Sequence, residues 1–485
     1  GESKYKMSQQ TTNYNRAKTW QIGLFAFNNT ATNVAMCLMG YLAFFSQNVL
    51  GIMAAVIGVI LTSMRIFDGI TDPIIGLFID KTDGKFGKFR PFMLVGNIII
   101  VTCMYLIFAV VPTLDNGIKL PVLIGVYIIY IFGYTFQTAC TKAAQAVLTN
   151  DPMQRPIFAI FDSIYNTILF AVAGLIITSI LPPKFEKGML DPGLWKQVAI
   201  MFGGLSFFLT ILAMIGIWGK DRKEFFGVGK KDEQVKIKDY WPIIKGNRAI
   251  QMLVVAASTD KLAGSLAQAA TIYFYGNVLL NVSLSGEIGA IMTPMTILVT
   301  FIGVGYARKM GQKKAFVVTT WGSMAMLIAL LIIQPFDNIS LTALNFNTIL
   351  FMGLTLLQRG FMNVSGNMVI PMIADCADYE TYRSGKFVPG MMGTLFSFVD
   401  KLISSFSSTL LGVGLAMIGL GNAIIEPGTA ATGSFFWLIM GCMYIVPILG
   451  HLASIIAMKF YPLTAEKMEE VQYEIEALKN KNTVA

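Results

Sequence analysis

The chain has 485 residues, of which 55% are hydrophobic and only 13% charged, and its mean hydropathy is +0.62. A soluble domain carries about 25% charged and about 45–50% apolar residues. The excess apolar surface therefore needs lipid as its solvent, which excludes a soluble enzyme, a nucleic-acid-binding domain and a disordered chain. The formal charge of +9 is informative through its distribution rather than its sum.

In chain order, Gly1–Lys6 is expected to be a tag remnant ahead of a natural start at Met7, and no signal peptide is expected. A hydrocarbon core of about 30 Å needs about 20 apolar residues per helix. Twelve stretches qualify: 18–47, 52–80, 90–111, 119–149, 153–181, 197–219, 247–280, 285–306, 314–335, 345–373, 388–420 and 432–459. Of the 37 Lys and Arg residues, 28 fall in the two tails and in alternate loops, nine of them between Lys220 and Arg248. Only Lys119, Lys184, Lys187 and Lys196 fall in the opposite loops. The positive-inside rule then makes both termini cytoplasmic.

The polar run from Lys220 to Lys245 halves the chain. The expected organisation is a cytoplasmic tail (1–17), an N-terminal six-helix bundle (18–219), a cytoplasmic linker (220–246), a C-terminal six-helix bundle (247–459) and a second cytoplasmic tail (460–485). Asp80-Lys-Thr-Asp-Gly-Lys-Phe-Gly87-Lys88-Phe-Arg90 follows the second stretch, and Arg308-Lys309-Met-Gly311-Gln-Lys313-Lys314 follows the eighth. Both are glycine turns with basic residues at equivalent places, as expected of two repeats of one unit. The fold class is an all-α membrane protein: twelve transmembrane helices in two pseudo-symmetric six-helix bundles, the major facilitator fold, with a site at midplane between them.

Five scattered cysteines without CxxC spacing argue against a disulfide framework or a metal site, and the one histidine, His451, is read as structural. No nucleophile–base pair or cofactor loop can be named, so neither enzymatic activity nor a cofactor is expected. Ten charges away from the ends of apolar stretches do demand a reason, since each costs about 2.5–3.5 kcal/mol at a helix centre. They are Arg65, Asp68, Asp72, Lys142, Asp162, Asp260, Lys261, Arg359, Asp400 and Lys401. Arg65, Asp68, Asp72 and Gly76 are spaced by three and four and share one helical face. Two carboxylates a turn apart repel when both are ionised, so either one takes a proton or a monovalent cation bridges them. Both outcomes describe a coupling-ion site; the plainer reading is a static Arg65–Asp68 pair, which leaves the second aspartate uncompensated. Lys142 and Lys401 are cations that can release a carboxylate when substrate or ion arrives, and Asp162 is a candidate partner for Lys142.

The run from Arg65 to Pro91, Arg-x-x-Asp-x-x-x-Asp-Pro-x-x-Gly-x-x-x-Asp-x-Thr-x-x-x-x-Gly-Lys-x-Arg-Pro, resembles the signature of the glycoside–pentoside–hexuronide:cation symporters. Ala374-Asp375-x-x-Asp378-Tyr379-Glu380, Lys401 and the closing Phe460-Tyr461-Pro462-Leu463-Thr464 resemble the same family, the melibiose- and glucuronide-carrier type of the major facilitator superfamily. The resemblance implies uptake of a sugar or glycoside driven by H⁺, Na⁺ or Li⁺. By matching positions it makes Asp68, Asp72, Thr135 and Lys401 the cation-coupling residues, with Asp68 and Asp72 holding any Na⁺. It makes Asp80, Gly87, Lys88, Arg90, Asp375 and Asp378 the cytoplasmic gate.

The sequence departs from galactoside carriers where they use two aspartates and a tryptophan; here those positions read Thr32, Thr138 and Lys142. Two negative charges are lost and one positive gained, which favours an anionic sugar such as a hexuronide, a glucuronide or a sulfonated sugar. Fewer oxygen ligands favour H⁺ over Na⁺. The expected substrate contacts are Asn29, Thr32, Asn33, Arg65, Thr138 and Lys142. The partners expected are the sugar and the bilayer of a bacterial inner membrane, with no nucleic acid, for a monomer. The alternatives are a Na⁺-coupled lysophospholipid-type or neutral-glycoside carrier and, from another class, a non-transporting sensor.

Overall fold

The structure, a computed structural model, describes residues 13–226, 237–281, 283–404, 406–420, 425 and 428–484. Gly1–Lys6, Met7 and the middle of the expected linker lie outside the described residues. Among the described residues the fold is all helix apart from one isolated β-bridge, Gly84 to Gly87.

Among the described residues, each of the twelve apolar stretches contains helix. The first is broken into α1 (Thr19–Phe25), α2 (Phe27–Met39) and α3 (Leu42–Asn48). Next come α4 (Ala54–Lys81), α5 (Arg90–Tyr105), α6 (Asn116–Ala143), α7 (Gln145–Leu148), α8 (Ile157–Leu175) and α9 (Pro192–Ile217). The short α10 (Tyr240–Gly246) leads into α11 (Arg248–Tyr273), α12 (Ser283–Met310), α13 (Gln312–Ile333) and α14 (Phe346–Ser384). The chain closes with α15 (Pro389–Ser404), α16 (Phe406–Met417), α17 (Ser434–Met440), α18 (Val446–Lys459) and the polar α19 (Ala465–Val484). Among the described residues, seven helices are long and apolar enough, by length and composition, to cross a membrane. The remaining five stretches are the broken first one and the four that carry Asp68 and Asp72, Asp260 and Lys261, Arg359, and Asp400 and Lys401.

Local chemistry sets the helix starts. Pro192 opens α9 behind Asp191, whose carboxylate accepts from the Gly193 amide at 2.9 Å. Asn247 caps α11 by accepting from the Ile250 amide at 3.1 Å. Large apolar side chains such as Phe208, Leu298 and Ile332 stand exposed, as a lipid-facing surface requires.

The described chain forms two compact units. The first comprises Gly1–Ile243, Ile373–Phe398 and Glu469–Ala485; the second comprises Ile244–Met372 and Val399–Met468. In the first unit, Trp195 packs with Phe45 and Phe108, ring centroids 5.6 and 5.8 Å away. A fully buried amide knot ties α2, α5, α6 and α9 together. Asn97 donates to Gln137 (3.0 Å) and Ser206 (2.9 Å), and Gln137 donates to Asn28 (3.0 Å) and Thr210 (2.7 Å). Such interhelical bonds stabilise by about 0.6 kcal/mol each in lipid, so the knot fixes register more than it adds stability. The second unit is built round Phe274, whose ring meets Phe336, Phe351 and Tyr444 at 5.1, 5.8 and 6.0 Å.

Candidate functional site

In the first unit, α4 presents Asp68 and Asp72 one turn apart. Thr135 of α6 is buried and donates its hydroxyl to Asp68 Oδ1 at 3.1 Å. The Thr71 hydroxyl turns back onto the Asp68 carbonyl (2.9 Å), and Asp72 is only 2% exposed. Two carboxylates and a hydroxyl are hard oxygen donors, chemically suited to a proton or an alkali cation. Arg65, a turn earlier, is exposed. Thr135, Thr138 and Lys142 follow one another at three and four residues on α6. The Thr138 hydroxyl oxygen is buried with no hydrogen-bond partner among the described residues. Lys142 Nζ donates to Ser397 Oγ of α15 and stands 5.8 Å from the Phe396 ring centroid.

The α2 residues group differently. Asn29 donates to Asp162 of α8 at 2.7 Å, Asn166 donates to the same Asp162 oxygen at 2.8 Å, and Asn33 donates to Asn166 at 2.9 Å. Asp162 is thus held by two amides, and the expected Asp162–Lys142 partnership is not formed. Thr32 is fully buried, with its hydroxyl donated to the Asn29 carbonyl at 2.8 Å. The structure therefore gives it a helix-packing contact and no exposed surface.

The six expected gate residues fall into three clusters of the first unit. Asp80, at the end of α4, accepts from the Gly390 (2.8 Å) and Met391 (2.9 Å) amides, capping α15. Close approach makes that cap possible: a Cβ on Gly76 would meet the Gly390 carbonyl oxygen at 2.7 Å. Lys88 is buried and donates to the Asp80 and Thr82 carbonyls at 2.9 and 3.0 Å. Burial lowers its pKa, against the nearby charges of Asp80, Asp83 and Asp221.

The second cluster centres on Asp221, which is fully buried. It accepts from the Lys88 (2.8 Å), Phe89 (3.1 Å) and Arg90 (2.9 Å) amides at the start of α5 and from Arg90 Nε at 3.3 Å. Gly87 has φ +88°, and a Cβ there would lie 2.2 Å from Asp221 Oδ2, so only glycine fits. Arg90 also lies over the Trp218 ring at 4.1 Å. In the third cluster Arg155, 1% exposed, bridges Asp375 (2.6 Å) and Asp378 (2.7 Å). Gln472 of α19 donates to Asp378 (2.7 Å), and Asn150 donates to Gln472 (2.9 Å).

Asp221 escapes the sequence reading because it lies in a connecting segment, where a charge is ordinary; Arg155 stands at the edge of the expected stretch 153–181, and the structure starts α8 only at Ile157, leaving Arg155 in the connection before it. Asp151-Pro152 before Arg155 and the abrupt end of the apolar run before Asp221 were the available signals.

Within the second unit, charges that are neighbours in the sequence take partners on other helices. Lys261 pairs with Asp400, and Asp260 is met by His451 Nδ1 at 2.8 Å. The other ring nitrogen of His451 lies 3.0 Å from Ser323 Oγ, which also accepts from Gln358 at 3.1 Å. This run Gln358–Ser323–His451–Asp260 gives both His451 nitrogens a partner. Lys401, on α15, is half-buried in the same unit.

Comparison with known proteins adds a family to this geometry. The chain is 25% identical to the uncharacterized symporter YnaJ of Bacillus subtilis over 449 residues, 90% of each chain. It is 23% identical to the glucuronide carrier protein homolog of Escherichia coli, over 95% of this chain and 96% of that one. The solved E. coli fucose:proton symporter superposes with a TM-score of 0.61 at 11% identity, covering 92% of this chain and 98% of the other, so it shares the fold. The profile described as "MFS/sugar transport protein" matches residues 24–465. With that match over nearly its whole length, and an all-helical fold to go with it, the chain belongs to the MFS/sugar transport protein family of membrane transporters, not to a family of enzymes.

Proposed function

We propose that this protein is a multi-pass inner-membrane symporter that imports an anionic sugar or glycoside, of the hexuronide or sulfonated-sugar kind, with H⁺ as its coupling ion. The observation that carries the proposal is the α4 face, where Asp68 receives the Thr135 hydroxyl at 3.1 Å and Asp72 is buried a turn away. Bringing both carboxylates into an apolar helix is costly when both are ionised, so protonating one lowers the cost of the loaded state. Because a bound proton stabilises one arrangement of the helices over another, the cation gradient drives alternating access. Na⁺ is disfavoured because Thr138 stands where galactoside carriers place a carboxylate, which leaves fewer oxygen ligands. Lys401 is the coupling cation on α15, and both tails are cytoplasmic. The monomer suffices, since no step needs a second copy.

Lys142 supplies the positive charge of the substrate site, oriented by Ser397 and backed by Phe396. Thr138 on the same face offers a hydroxyl that a sugar oxygen can satisfy. Similarity to the glucuronide carrier homolog agrees with an anionic sugar. Asp72→Asn, assayed by gradient-driven accumulation of a radiolabelled glucuronide in cells, is expected to abolish accumulation with normal membrane insertion. A mutant that still concentrates the sugar contradicts the assignment.

A further inference from the structure

A cavity of about 440 Å³ is lined entirely by residues of the second unit, from α11, α13, α14 and α18 and from the π-helical turns Phe274–Val278 after α11 and Gly441–Ile445 before α18. Its volume falls within the range of small-molecule sites, about 300–1,000 Å³. Most of the wall is apolar, from Phe274, Phe351 and several leucines and methionines. Into it face Gln268, Tyr275, Thr355, Gln358, Arg359 and Tyr444. Arg359 and Tyr275 line the same cavity, and among the described residues no carboxylate lies within ion-pairing distance of the Arg359 guanidinium. Thr355 adds a buried hydroxyl oxygen with no hydrogen-bond partner among the described residues. The nearby carboxylate, Asp260, is held by His451, whose ring stands in the wall.

A guanidinium in a largely apolar chamber without a carboxylate is a costly feature unless an anion completes it. We propose that this cavity binds a monosaccharide-sized monoanion, a sugar carrying a carboxylate or sulfonate, with Arg359 receiving the charged group. Gln268, Thr355 and Tyr444 supply neutral partners for its hydroxyls. A small inorganic anion would leave most of the cavity and these groups unused. The site lies in the other unit from Lys142, so it goes beyond the transport proposal and stands even for a carrier of neutral sugars.

The test is isothermal titration of the full chain in detergent with glucuronate, glucose and acetate, in wild type, Lys142→Gln, and Lys142→Gln combined with Arg359→Gln or Arg359→Lys. The Lys142→Gln protein is expected to bind glucuronate. Adding Arg359→Gln weakens that binding by about tenfold or more, as loss of a charged donor should, and Arg359→Lys weakens it less. Glucose and acetate bind more weakly than glucuronate by a similar factor. Should Arg359→Gln not fold, Gln268→Leu and Thr355→Val replace it, each weakening glucuronate more than acetate. Unchanged glucuronate binding in the Arg359→Gln protein overturns the site. So does acetate binding as tightly as glucuronate. Complete loss of binding in Lys142→Gln alone also overturns it, and leaves the Lys142 proposal intact.

Discussion

Asp162 and the pair Asp375–Asp378 are all buried in the first unit, yet they are held in opposite ways. Asp162 sits along α8 and is met by two neutral amides, from Asn29 and Asn166. Asp375 and Asp378, near the end of α14, are clamped by one fully enclosed guanidinium, that of Arg155. A carboxylate held by neutral donors changes its proton or its partner without stranding an opposite charge. One held by an arginine is released only if the arginine finds another anion or water, because an unpaired buried charge is expensive. In this pair of sites the carboxylate along a helix is held by neutral donors and the carboxylates near a helix end are held by a cation. Thr135 against Asp68 is a neutral donor of the first kind, and Asp221, paired with Arg90 Nε at 3.3 Å, belongs with the second.

Two substitutions break this contrast in turn. Arg155→Gln leaves two buried carboxylates facing each other without their cation, and removing one partner of a buried pair costs about 3–5 kcal/mol. Thermal unfolding in detergent is expected to show a large fall in the midpoint, and adding Asp375→Asn is expected to recover part of it. If Arg155→Gln unfolds like wild type, the clamp is not a lock. Asn29→Ala removes one of two neutral donors from Asp162 and should cost about 1 kcal/mol, in keeping with the modest value of interhelical hydrogen bonds in lipid. A loss as large as that of Arg155→Gln would erase the distinction between the two kinds of site.

Much of this arrangement is visible in the sequence, and the limits have a physical origin. A charge inside an apolar run stands out, so Asp68, Asp72, Lys142 and Lys401 are legible, and their helical spacing puts Asp68 and Asp72 on one face. The Gly87-Lys88-Phe89-Arg90 turn is legible because glycine and basic residues end an apolar stretch abruptly. Partners across helices are another matter. Adjacent residues such as Asp260 and Lys261 point about 100° apart on a helix, so each meets a different neighbour: His451 for the first and Asp400 for the second. Thr32 matches a substrate position by alignment, but its hydroxyl is taken by its own helix backbone. Arg155 and Asp221 act through segments distant in the chain, where composition gives no warning.

The central claim is that sugar entry carries protons through the Asp68–Asp72 face. The most direct measurement is luminal pH in proteoliposomes loaded with a pH-sensitive dye, after a glucuronide is added outside with no ion gradient imposed. Wild type should acidify the lumen as sugar enters, equally with and without Na⁺, and Asp72→Asn should leave it unchanged. Sugar entry that needs Na⁺ and moves no protons, or acidification by Asp72→Asn at the wild-type rate, would contradict the claim.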